Sequence, residues 1–218
     1  MQSVLCLITN RQRLLAATHR SEASWPDLLF DQVRGAIAGG IDLIQIREPD
    51  IEPARLAGIV RRAVAIAEGT RARIVVNDRL DVALAAATGV HLREDGIAPA
   101  RARAIAPGLL IGRSVHGVES VGRSTGADYL IAGSVFETVS KPGVVPLGVN
   151  GLAAIVSAAA SCPVLAVGGV TIENLTAIRL AGAAGIAAIG GFVPAERVSD
   201  LAAAVQTLTK LLRNAFDS

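Results

Sequence analysis

The sequence predicts a single (β/α)8 TIM barrel, and three observations support this fold. Its 218 residues suit one large α/β domain. Eight short apolar runs alternate with alanine-rich segments of helical pattern, and this alternation of strand and helix is typical of a barrel of parallel strands. No linker rich in proline or serine divides the chain, so we expect one domain over residues 1–218. An open, doubly wound sheet is the alternative fold.

The predicted strands are almost continuously apolar, as expected for parallel strands that are covered on both faces. They lie at residues 4–9, 42–47, 73–77, 89–92, 109–114, 128–133, 163–169 and 185–191. Helical patterns lie between them, and proline or a capping residue marks several of their starts. These patterns cover residues 27–38, 52–68, 79–87, 151–160, 172–181 and 195–213.

Composition excludes several classes of function. Aromatic residues make up 3% of the chain and the formal net charge is +2, so we expect no nucleic-acid partner. No apolar run approaches the roughly 20 residues that cross a bilayer, and the start lacks a signal-peptide pattern. We therefore expect a cytoplasmic protein with no membrane partner.

Cys6 and Cys162 lie in apolar runs and are predicted to be buried thiols, with a disulfide as the alternative.

The last two predicted strands each end in a pair of glycines. These pairs are Gly168-Gly169 and Gly190-Gly191. Barrel enzymes often hold a phosphate after strands seven and eight, and glycine lets the backbone approach such an anion closely. The sequence therefore predicts a phosphorylated small molecule as ligand, while tight strand-to-helix turns are the structural alternative.

Other polar side chains stand where the second and third strands end. Gln45 and Arg47 are two residues apart and therefore point the same way, and Arg47 has the geometry to bind a phosphate bidentately. The alternative for Arg47 is an ion pair with Glu48 or Asp78 at the barrel rim. Asp78 is predicted to bind Mg²⁺, with Asn77 on a nearby anion, or instead to cap the helix at 79–87.

Two further features point to the same end of the barrel. His116 follows the fifth strand beside Ser114, where an imidazole can both accept and donate a proton. His91 lies inside a strand and is predicted to be structural. Thr138, Ser140 and Lys141 lie on a loop from 133 to about 150, and loops of that length are often functional lids.

Seven runs, taken in order, resemble the thiamine phosphate synthase/TenI family of small (β/α)8 barrels. They are "IQIRE", "VNDRLDVALA", "GVHL", "IGRSVH", "GADYLIAGSVFETVSK", "PVLAVGGVTIEN" and "GAAGIAAIGG". The resemblance implies one of two activities in thiamine biosynthesis. A synthase joins a pyrimidine methyl diphosphate to a thiazole phosphate with Mg²⁺, releasing pyrophosphate. A TenI-like tautomerase moves a proton on a carboxylated thiazole phosphate without metal.

The resemblance also implies roles for individual residues. In the synthase pattern, Gln45, Arg47, Asn77 and Lys141 surround the diphosphate and the pyrimidine. Asp78 binds magnesium together with either Glu94 or Asp95, and we expect the second ligand to be Asp95. The thiazole phosphate region is contacted by Ser114, Thr138 and Ser140. The phosphate itself is bound by Gly168, Gly169, Ile189 and Gly190. In the TenI-like pattern, the residue at the position of His116 is the acid/base candidate.

The chain departs from the synthase pattern in two places. Synthases usually carry a lysine two residues after the arginine, where this chain has Pro49. They also tend to read "HLGQxD" after the fourth strand, where "HLRED" is one residue shorter and contains Arg93. We therefore expect catalysis by His116, Arg47 and Lys141 in a thiazole tautomerase without a cofactor. The alternatives are an Mg²⁺-dependent synthase and a non-catalytic binder of thiamine or thiazole phosphate. The apolar C-terminal helix predicts either a homodimer face or docking on its own barrel.

Overall fold

The structure, a computed structural model, is a closed barrel of eight parallel strands and describes residues 3–139 and 143–218. Each strand pairs with the next, and β8 returns to pair with β1 in the register Leu7↔Ala188. The strands are β1 (Val4–Ile8), β2 (Leu43–Ile46), β3 (Arg73–Asn77), β4 (Gly89–Leu92), β5 (Ile111–Val115), β6 (Tyr129–Gly133), β7 (Val164–Val167) and β8 (Gly185–Ala188). The predicted barrel is confirmed and the open sheet is wrong.

The α-helices connect the strands on the outside of the barrel. They are α1 (Arg11–Thr18), α2 (Trp25–Ala38), α3 (Pro53–Ala67), α4 (Leu80–Ala85), α5 (Pro99–Ile105), α6 (Val118–Gly122), α7 (Gly148–Ala158), α8 (Leu175–Leu180) and α9 (Leu201–Asp217). Local capping explains several starts. Asn10 accepts a hydrogen bond from the Arg13 N–H at 2.9 Å, and Asp200 accepts one from the Ala203 N–H at 3.0 Å.

The helix predictions were incomplete at the short helices. Helices α1, α5 and α6 were not predicted, because they span eight, seven and five residues and carry only a narrow apolar stripe. The predicted helix at 195–213 begins later, at Leu201, where the Asp200 side chain caps it, and runs to Asp217.

The apolar core has two parts. Mostly aliphatic side chains fill the inside of the barrel, among them Leu43, Val75 and Leu165, together with Cys6. A larger layer packs between the outer face of the strands and the helices. Cys6 is buried and Cys162 half-buried, and both are free thiols, so the disulfide alternative is wrong. Among the described residues, no helix is both long and apolar enough to span a bilayer.

Two helical glycines make a matched pair for testing how tightly α9 packs. A Cβ on Gly35 of α2 would lie 2.2 Å from the Ala202 carbonyl oxygen of α9, whereas a Cβ on Gly58 of α3 would meet nothing within 4 Å. Gly35→Ala should therefore lower the free energy of unfolding by about 1–3 kcal/mol, because backbone must move to admit the methyl group. Gly58→Ala should raise it by about 0.5–1 kcal/mol. Urea denaturation of both variants measures the difference, and equal effects would contradict the close packing.

Candidate active site

One cavity of about 1540 Å³ opens at the carboxyl ends of the strands. Its wall includes each of the predicted site residues that the structure describes. These are Gln45, Arg47, Asn77, Asp78, Asp95, Ser114, His116, Thr138, Gly168, Gly169, Ile189 and Gly190. Ser140 and Lys141 lie outside the described residues.

The glycine pair after β7 has a conformational role. Gly168 and Gly169 have φ angles of 95° and 63°, in the left-handed region that favours glycine. A Cβ on Gly168 would lie 2.6 Å from the Ser134 Cβ, and one on Gly169 would lie 2.4 Å from the Glu137 carbonyl oxygen. The pair therefore allows the segment after β6 to lie directly against the end of β7, and it keeps that part of the cavity wall free of side chains.

The buried acid Glu48 holds the end of β2, where Gln45 and Arg47 line the cavity. Glu48 accepts a hydrogen bond from the Thr9 hydroxyl at 2.8 Å, and the same hydroxyl accepts one from the Arg47 N–H at 3.0 Å. Burial raises the pKa of Glu48, against the opposing effect of its hydrogen bonds from Thr9 and Arg11. The Arg47 side chain is exposed at the mouth and forms no ion pair with any described residue, so the alternative of an ion pair with Glu48 or Asp78 is wrong.

Gln45 carries an unsatisfied donor beneath Arg47. Its side chain is 2% exposed, and the amide nitrogen finds no hydrogen-bond partner within the described part of the chain. A buried donor without an acceptor costs free energy, and functional sites are one place where this cost is accepted. Gln45 also lines the cavity, so a ligand atom that reached this amide would satisfy it.

The predicted metal ligands lie around an arginine. Arg93 Nη2 is 2.6 Å from Asp95 Oδ2, and Arg93 Nη1 is 3.7 Å from Asp78 Oδ2. A guanidinium placed between two carboxylates already offsets one of their two negative charges and occupies the space between them. No group of three or more metal-ligating side chains occurs among residues 3–139 and 143–218. In this arrangement Asp78 and Asp95 do not fit a magnesium site. The capping alternative for Asp78 is also wrong, because α4 has Arg79 at its N-cap and no side-chain cap.

His91 is a buried, fully hydrogen-bonded residue. Its Nδ1 lies 3.2 Å from the Tyr129 hydroxyl, and its Nε2 lies 2.9 Å from the Ser114 hydroxyl. Burial, together with the positive charge of Arg113, lowers the pKa of His91 to about 3. The ring is therefore neutral at physiological pH and orients Ser114 at the cavity wall. The burial and hydrogen bonds of His91 agree with a structural role, but the residue also lines the cavity, so that role stays a prediction.

His116 is held by a carboxylate. Its Nδ1 contacts Glu94 Oε2, and Arg123 Nη2 lies 3.5 Å from the other oxygen of the same carboxylate. Partial burial raises the pKa of Glu94, but the hydrogen bonds from His116 and Ser120 and the nearby positive charges outweigh it, so the net pKa is lowered. Glu94 is therefore ionised at neutral pH and orients the imidazole, an arrangement typical of catalytic histidines.

Arg113 secures the segment that carries Glu94. Its guanidinium donates hydrogen bonds to the carbonyl oxygens of Ile97 at 2.6 Å and Glu94 at 2.5 Å. Arg113 was not predicted as a site residue, and Glu94 was predicted only as a metal ligand. A signal was present, since an arginine in an apolar strand requires buried acceptors, but the sequence does not say which acceptors these are.

Known proteins share both the sequence pattern and the fold. The sequence profile described as "Thiamine monophosphate synthase" matches residues 13–192. The chain belongs to the thiamine phosphate synthase/TenI family. It is 38% identical over 183 residues to a thiamine-phosphate synthase of Pyrococcus abyssi, covering 83% of this chain and 86% of that protein. It is 36% identical over 191 residues to a thiamine-phosphate synthase of Moorella thermoacetica, covering 85% and 89%.

A solved structure of the same family superposes on the whole barrel. Thiamine phosphate pyrophosphorylase from Pyrococcus furiosus matches with a TM-score of 0.79 at 32% identity, covering 99% of this chain and 96% of that one. The predicted membership of the thiamine phosphate synthase/TenI family is therefore confirmed. The cavity described above lies where barrel enzymes carry their active sites.

The buried His91 should make the stability of this family member fall in acid. Its pKa is about 3 when folded and about 6.5 in an unfolded chain, so the unfolded state takes up the proton first as the pH falls. Stability is thus lost between about pH 6.5 and 3, with a slope from this residue approaching about 1.4 kcal/mol per pH unit. In His91→Gln the free energy of unfolding should change less steeply over this range. The exposed His19, replaced by Asn, is the control and should keep the wild-type slope. Parallel curves for wild type and His91→Gln would show that His91 is not responsible.

Proposed function

We propose that the protein is an enzyme of thiamine biosynthesis that transfers a proton on a carboxylated thiazole phosphate, aromatising its ring. The observation that carries this proposal is the contact between His116 and the ionised Glu94 at the cavity wall. A tautomerisation takes a proton from one ring atom and returns a proton to another. It therefore needs one well-oriented acid/base group and an anchor for the substrate, and no cation for a leaving group.

The tautomeric state of His116 follows from its partner. A carboxylate at Nδ1 accepts a hydrogen bond from the N–H of that nitrogen, which leaves the lone pair on Nε2. We assign proton abstraction and return to Nε2, with Glu94 stabilising the imidazolium that forms between the two steps. Glu94 acts through His116 and is a positioning residue.

The remaining wall supplies binding groups for a phosphorylated heterocycle. The glycines after β7 and β8 leave room for a phosphate at the backbone, Ser114 is oriented by His91, and the Gln45 amide lacks a protein acceptor. Arg47 adds a positive charge at the mouth. Thr138 also lines the cavity. The roles of Ser140 in substrate binding and of Lys141 in catalysis stay predictions.

The second candidate is a thiamine phosphate synthase, and the names of the relatives favour it. Gln45, Arg47 and Asn77, which the resemblance places around a diphosphate, all line the cavity. Two observations stand against it. Pro49 cannot neutralise a departing diphosphate, and Arg93 stands between the acids that would bind magnesium. A synthase of this sequence must therefore use another cation.

Replacement of His116 tests the acid/base assignment. His116→Asn should lower kcat for tautomerisation by about 10²- to 10⁴-fold, because the proton carrier is lost, while the affinity for the aromatic product changes little. Glu94→Gln should lower kcat less, since the imidazole remains. Glu119→Gln, which removes an exposed carboxylate outside the cavity, is the matched control. Unchanged turnover in His116→Asn would remove His116 from the mechanism.

A metal-depletion assay with both substrate sets separates the candidates. The purified protein is given either carboxythiazole phosphate or the pyrimidine diphosphate with thiazole phosphate, in Mg²⁺ and in EDTA. We expect turnover of the carboxythiazole phosphate at the same rate in both conditions. Formation of thiamine phosphate that stops in EDTA would establish the synthase instead. Tight binding without turnover of either set would establish a non-catalytic binder.

A further inference from the structure

Six arginines line the cavity, and four of them already have partners. Arg79 pairs with Asp81, Arg93 with Asp95 and Asp78, and Arg123 with Glu94. The fourth, Arg113, donates to the backbone carbonyls that it holds in place. In the part of the chain that the structure describes, Arg47 and Arg13 have no carboxylate partner. Arg47 was expected at the mouth from the sequence, whereas Arg13 was not.

Arg13 lies beside the glycine that follows β8. Strands β1 and β8 are hydrogen-bonded neighbours, so the segments that leave their carboxyl ends run side by side. The start of α1 is fixed, because the Asn10 side chain accepts a hydrogen bond from the Arg13 N–H at 2.9 Å. From this position the guanidinium reaches across to β8, and a Cβ on Gly190 would lie 3.2 Å from Arg13 Nη1.

We propose that Arg13 binds the phosphate of the substrate at Gly190 and so determines specificity for a phosphate ester over the corresponding alcohol. This inference rests on the proposed function, and it adds a side-chain cation to a phosphate site otherwise made of backbone. Arg13 is half-buried, and its Nη1 is the atom nearest to the position of a Cβ on Gly190, so a phosphate at this glycine would meet the guanidinium. A guanidinium matches the geometry of a phosphate with two parallel N–H donors, and such charge-assisted pairs are the stronger class of hydrogen bond.

The test is isothermal titration of wild type and Arg13→Gln with thiazole phosphate and with its dephosphorylated alcohol. Arg13→Gln should bind thiazole phosphate about 10- to 100-fold more weakly, because one charged hydrogen-bonding group is lost. Binding of the alcohol should be unchanged. Arg13→Lys should recover part of the affinity for the phosphate ester. Arg101→Gln, which removes an equal charge from an exposed position outside the cavity, should behave as wild type.

Two results would overturn the inference. One is equal affinity of wild type and Arg13→Gln for thiazole phosphate, and the other is an equal loss for the phosphate ester and the alcohol. Inorganic phosphate separates this inference from the proposed function. If wild type binds neither thiazole compound, the proposed function fails, and the comparison is repeated with inorganic phosphate. Weaker phosphate binding by Arg13→Gln than by wild type and Arg101→Gln then supports the Arg13 site, and absence of any difference overturns it.

Discussion

Closure of the barrel by the β1–β8 pair is the constraint on which the site depends. Once Leu7 lies opposite Ala188, the first and last strands are neighbours, and all eight carboxyl ends surround one mouth. Residues that are far apart in the chain then meet there, such as Arg13 and Gly190. The closed sheet also leaves no unpaired strand edge, so its backbone polar groups are satisfied and the strands can be almost entirely apolar. Polar side chains are left to the last turns of the strands and the segments beyond, where a ligand can use them.

Charge pairing then divides the mouth into two sides. After β3, β4 and β5, carboxylates and arginines neutralise one another, with Arg93 between Asp78 and Asp95 and Glu94 held by His116 and Arg123. These pairs lie at the rim, with Asp78 and Glu94 half-buried, and their main effect is to fix positions and to reduce the net electrostatic field. After β1 and β2, Arg13 and Arg47 have no carboxylate partner among the described residues. An anionic ligand is therefore attracted to that side, while the paired side can orient a group that exchanges a proton.

The fold was readable from the sequence because parallel strands covered on both faces need unbroken apolar runs, and each of the eight runs became a strand. Short polar helices were not readable. The segment "RQRLLAAT" forms α1 because Asn10 caps it, which is a local contact, and because Leu14 is buried, which is a tertiary condition. The positions of the site residues followed from the strand ends, which explains why His116, Ser114 and Gly168 reached one cavity. Their partners did not follow. Glu94 and His116 come from different loops, 22 residues apart, and only the packing of β4 beside β5 brings them together.

The strand order also constrains how one substrate can use both sides of the mouth. Arg13 and Gly190 follow β1 and β8, whereas His116 follows β5, which lies across the ring of eight strands from β1. A thiazole phosphate anchored at the first position must extend its ring across the opening to meet His116, so the length between phosphate and ring decides which atom can exchange a proton. Both candidate reactions use a thiazole phosphate, and the same anchor serves both.

Whether a thiazole phosphate isomerises or is joined to a second substrate is therefore decided away from the anchor, after β2 to β4. There Pro49 and Arg93 stand where a synthase needs a cation for the leaving diphosphate and free carboxylates for its metal, and this difference is the reason for proposing proton transfer.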